Sequence, residues 1–163
     1  MKQTAFLSQP LTLDPAWIDY NGHLNMAFYS VLFDRAVDQV WDTFGLGDGY
    51  RAERNMTTFA GAFQVHYLRE LKLGDAVTST FQILDHDDKR VHSFQELRHV
   101  DGWLAATGET LHLSIDASGP RVAPFPEDVL TRIRAMAADH AALPRPEAAG
   151  QGIRIRRKQA RGA

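Results

Sequence analysis

One stretch governs what this chain can become. Between Asn25 and Gly45 the residues Tyr29, Phe33, Ala36, Val37, Val40, Trp41 and Phe44 recur at steps of three and four, the period of a helix. Asp34, Asp38 and Asp42 form its one polar edge, so most of the circumference is apolar and the helix must be largely buried. Asn25 suits the N-cap, because its side-chain oxygen can accept from a first-turn amide, and Gly45 stands where a left-handed residue ends a helix.

The sequence around this helix has the character of strands. Residues 3–13 alternate loosely through Phe6, Leu7, Leu11 and Leu13, with a break at Pro10, and Pro15, Asn21 and Gly22 mark a loop before the helix. After a polar loop at 47–55, strand-like segments cover 57–70, 75–86, 89–100 and 103–116, with turns at Gly74-Asp75, Asp85 to Asp88 and Asp101-Gly102. Pro126 and Glu127-Asp128 then open a second, amphipathic helix with Val129, Leu130, Ile133, Met136 and Ala137 on its apolar face. A lone antiparallel sheet must cover one face, and the buried helix is the cover available. The expected class is therefore α+β, an antiparallel sheet wrapped around one central helix with a surface helix near the C-terminus. The expected domain spans 1–143, followed by a basic, mobile tail over 144–163. The edge and outer face left over predict a homo-oligomer, a dimer or a tetramer.

Composition narrows the chemistry. With no cysteine in 163 residues, disulfides, thiol nucleophiles and thiolate metal sites are excluded together. No apolar run approaches the roughly 20 residues that cross a bilayer, and the N-terminus lacks a signal-peptide core, so a cytoplasmic protein without a membrane partner is expected. Arg154, Arg156, Arg157, Lys158 and Arg161 make residues 151–163 strongly basic, which leaves 13 basic against 20 acidic residues in the remainder. An acidic body argues against nucleic acid as a partner. The seven histidines show no compact ligand spacing, so neither metal nor cofactor is expected.

The junction before the helix carries the most chemistry. Asp19 lies four residues before His23 and six before Asn25. A carboxylate with an ordinary pKa of about 3.9 is ionised near neutrality and can take a proton from water or attack an acyl carbon. Free amides at a helix start carry the positive end of its dipole and can hold a developing oxyanion. Each residue also has a plainer explanation. Asn21-Gly22 is a common turn pair, Asn25 caps, and a single histidine is more often structural. Their coincidence in front of a buried helix favours a site.

The run Asp19-Tyr20-Asn21-Gly22-His23-Leu24-Asn25, continuing to Tyr29, resembles the D-x-N-x-H-x-N-x-x-x-Y signature of hot-dog-fold thioesterases, the relatives of 4-hydroxybenzoyl-CoA thioesterase. Tyr67 to Asp75 resembles that family's strand–turn element, and residues 91–116, with Glu109-Thr110 and Asp116, resemble its last long hairpin. The likeness covers roughly residues 5–135. It implies an acyl-CoA substrate, Asp19 as nucleophile or general base, and His23, Leu24 and Asn25 at the helix start with amides that polarise the thioester carbonyl. It also implies that Asn21 orients the acyl group or water. A second branch of the fold carries its carboxylate within the helix, where Asp34 and Asp38 are the counterparts, with Arg35 as a ready ion-pair partner.

Trp17 to His23, followed by Phe33-Asp34-Arg35-Ala36, is most similar to the thioesterases of carnitine catabolism, which act on betainyl-CoA. That resemblance implies an aromatic box for a permanent cation, with Trp17, Tyr20, Phe28, Trp41 and Phe59 as candidates, although Trp41 also continues the apolar stripe. His66, on the strand after the long loop, is a further candidate for the lining. Two other readings compete. Hot-dog hydratases resemble D-x-N-P-x-H, but here His23 follows Asp19 by four residues rather than five and Gly22 replaces the proline. A non-catalytic acyl-CoA-binding dimer would not require the Asp-Asn-His-Asn run.

Overall fold

The computed structural model describes residues 4–47 and 49–155. The long apolar segment forms α1, Met26–Phe44. Asn25 Oδ1 accepts from the Ala27 amide at 3.0 Å, and Gly45 adopts φ +80° at the other end. Leu32, Phe33 and Val40 on this helix are almost wholly excluded from solvent.

The sheet is antiparallel. Strands β1 (Phe6–Leu7) and β2 (Leu11–Thr12) both pair with β4 (Ala76–His86). Then come β5 (Arg90–His99), β6 (Leu104–Asp116) and β3 (Met56–Tyr67) at the far edge, with the short β7 (Arg121–Val122) also on β6. The chain near Pro10 divides the expected first strand in two. The loop at 47–55 contains a short helix, α2 (Tyr50–Arg54), and Pro15–Trp17 form a single 3-10 turn. Neither was legible as a period, because each is shorter than two helical turns.

The sheet curves around α1. Its first half, with Tyr29, Leu32 and Phe33, packs on Leu71, Val77, Leu97, Ala105 and Ala106. Its second half, with Val37, Val40, Trp41 and Phe44, packs on Phe81, Ile83, Val91 and the apolar face of α3 (Glu127–His140). Close approach depends on small residues, since a Cβ on Gly108 would stand 3.1 Å from both Phe33 and Phe63. Register shifts at Ala60/Ala62, Ile83/Asp85 and Leu97/Arg98 bend the strands. Beside the second shift, the Ile83 amide donates to the buried His140 Nδ1 at 2.9 Å, which replaces a ladder bond.

Residues 144–151 are tied to the sheet's outer face. Gln82 donates to Pro144 O at 3.3 Å, Gly150 N to Glu109 Oε2 at 2.8 Å, and Gln64 Nε2 to Gln151 O at 2.6 Å. The expected tail therefore begins with a segment bonded to the sheet, while Arg156, Arg157, Lys158 and Arg161 lie outside the described residues.

Candidate active site

Asp19 sits in a tight loop that leads into α1. Its amide donates to His23 O at 2.9 Å, and its carbonyl accepts from Gly22 N at 3.0 Å. This closure places Gly22 at φ +76°, a backbone region open to glycine without strain. The Asp19 carboxylate is partly buried, and Oδ1 accepts from Asn21 N at 2.8 Å and, more weakly, from His23 N at 3.5 Å. Oδ2 has no such partner among the described residues. Asp19 lines a depression of about 370 Å³ with Met26, Tyr29, Tyr67, Arg69 and Glu70.

The amides expected to hold an oxyanion require correction. Leu24 N donates to Leu71 O at 2.8 Å, and Asn25 N donates to Trp17 O at 2.9 Å, so both are spent on joining the loop to its neighbours. The Asn25 side chain holds Ala27 N, and Phe28 N donates to Asn25 O at 3.0 Å. That accounting leaves His23 N with only its weak contact to Asp19, and Met26 N, the first helical amide, without a protein acceptor among the described residues, in a residue that lines the Asp19 depression. The signal was present in the sequence. An N-cap at Asn25 frees the amides after it, not those before it.

The remaining expected residues separate. His23 is half-buried, and its charge helps to hold the Glu70 carboxyl below its usual range, after the larger effect of a backbone hydrogen bond to Glu70. Trp17 stacks on Phe28, ring centres 5.5 Å apart, and carries the Arg35 guanidinium 4.8 Å above its ring. These two aromatic rings are thus already engaged, and Arg35 is turned to Trp17 instead of Asp34. Tyr20 is 97% exposed and forms no wall. His66 bonds Gln64 at 2.6 Å on the face of β3 turned away from α1, opposite Phe63, Val65 and Tyr67, so it does not approach the Asp19 loop of its own chain.

Phe59 belongs to a different cavity. About 330 Å³ in volume, it lies between the middle of α1 and β3 and includes Phe33, Asp34, Trp41, Phe63, Gln95 and His112 in its lining. His112 is the buried titratable member, with Nε2 2.9 Å from Ser93 Oγ, and burial pushes its pKa down to about 4. It is neutral at physiological pH.

An antiparallel sheet wrapped on one long central helix is the hot-dog architecture of thioester hydrolases. The comparisons agree. Residues 13–133 match the model of the thioesterase-like superfamily, and the chain belongs to that family. The betainyl-CoA thioesterase of Pseudomonas aeruginosa is 39% identical over 140 residues, covering 85% of this chain and 88% of that one. The L-carnitine dehydrogenase/betainyl-CoA thioesterase of Rhizobium meliloti is 32% identical over 86% of this chain and 28% of that one. A Staphylococcus aureus protein solved in complex with CoA superposes with a TM-score of 0.87 at 33% identity, covering 96% of this chain and 98% of that one.

Proposed function

We propose that this thioester hydrolase acts on acyl-CoA, with betainyl-CoA as its substrate, and works in the cytoplasm as a homo-oligomer. The observation that carries the chemistry is the Asp19 carboxylate with one oxygen unbonded, in the same depression as the free Met26 amide. In the proposed reaction the thioester oxygen accepts from Met26 N, where the helix dipole favours the negative charge that grows on it. Asp19 takes a proton from water as hydroxide adds to the carbonyl carbon, or adds there itself to form an anhydride that water then opens. Either course breaks the C–S bond and releases CoA as a thiolate that takes up a proton. Arg69 lines the same depression, its guanidinium 4.1 Å above the Trp103 ring, and supplies positive charge for the CoA phosphates.

Similarity to the Pseudomonas aeruginosa enzyme over most of both chains supports the acyl group. The test is release of free thiol from a panel of acyl-CoAs. We expect kcat/KM for betainyl-CoA to exceed that for its neutral isostere, 3,3-dimethylbutanoyl-CoA, by at least tenfold. Equal rates would remove the cationic substrate and leave the thioesterase reading, and no thiol from any acyl-CoA would remove both.

A further inference from the structure

We propose that the cavity between α1 and β3 is the seat of the substrate's quaternary ammonium head, with Asp34 as the residue that selects for it. This rests on the betainyl-CoA reading above. The chemistry of the lining points to such a group. Phe33, Phe59, Phe63 and Trp41 bring aromatic surface to the cavity, and ring faces attract a cation that cannot donate a strong hydrogen bond. Asp34 is the one formal charge in the lining, and no described residue bonds or pairs with its carboxylate. His112 stays neutral there, so no positive charge competes.

A second observation points to a ligand independently of the charge. Gln95 is 1% exposed, and its Nε2 donates to Phe33 O at 3.3 Å and Ser79 Oγ at 3.2 Å. Its Oε1, in a residue of the cavity lining, has no partner. An orphaned buried acceptor is costly, and a small turn of the Gln95 amide would present it to the cavity, where the polarised methyl groups of a trimethylammonium are suitable partners.

Geometry then decides whose cavity serves which loop. In a betainyl thioester the nitrogen is two bonds from the carbonyl carbon. Asp34 stands eight residues beyond Met26, about 12 Å along the helix axis. We place the carbonyl at the Met26 amide of one copy and the ammonium at Asp34 of another. The cavity therefore completes the site of a second copy, and Phe59 and Phe63, partly exposed on the outermost strand, stand where that copy would approach.

The experiment compares kcat/KM for betainyl-CoA and 3,3-dimethylbutanoyl-CoA in wild type, Asp34→Asn and Asp34→Ser. Both substrates are measured on one sample, so any loss of folded protein cancels in their ratio. The expected result is a fall of at least tenfold in the ratio of cationic to neutral turnover in both variants. A wild-type preference that both variants retain within twofold overturns the cavity assignment alone. A wild type without preference overturns it together with the substrate reading.

Discussion

His112 shows how burial fixes the state of one side chain. On β6 it packs under Trp41, ring centres 4.8 Å apart, and its pKa falls from 6.5 to about 4 through desolvation. Between those values the unfolded chain binds a proton that the folded chain refuses. Stability from this group is therefore full above pH 6.5 and declines as the pH falls toward 4. At pH 5 the decline amounts to about 2 kcal/mol, from roughly 1.4 kcal/mol per unit of separation. Buried His140, whose pKa is also lowered by desolvation, acts in the same direction. Urea unfolding of wild type and His112→Gln at pH 7 and pH 5 should show a smaller acid-induced loss in the variant. Equal losses would mean that His112 is not the group responsible.

At the scale of elements, α1 and β3 divide the work. In the proposed reaction the helix start polarises the carbonyl through the one first-turn amide that its cap leaves unbonded, while the loop before it is held in place by the amides of Leu24 and Asn25. Strand β3 pairs with β6 on one side only and leaves Phe59, Phe63 and Tyr67 partly exposed. A twelve-residue edge with apolar side chains is a template for another chain. Light scattering at micromolar concentration should therefore report a dimer or a larger even assembly, and Phe59→Lys should shift it toward monomer with loss of activity. An active wild-type monomer would contradict both this and the shared site.

At the scale of the whole molecule, what was legible followed from periodicity. The central helix, its caps, four long strands and the terminal helix all stand near their expected places, because each repeats its pattern over many residues. The break of the first strand at Pro10 was legible, whereas the short α2 was hidden, since tertiary contacts shape it more than local pattern does. In the proposed site, Asp19 comes from a motif whose spacing closes a loop, whereas of the expected donors His23, Leu24 and Asn25 the last two are bonded elsewhere and we assign the role to Met26 N. Bonds to Leu71 O and Trp17 O, distant in sequence, decide that. The engagement of Trp17 with Arg35 was hidden for the same reason. The account as a whole rests on Asp19, and Asp19→Asn tests it most directly. The amide oxygen can still accept from Asn21 N, so the loop keeps its bond while the basic oxygen is lost. Thiol release from betainyl-CoA should fall by about 100-fold or more with the thermal midpoint little changed, the usual cost of losing a general base. A variant within threefold of wild type would contradict the account.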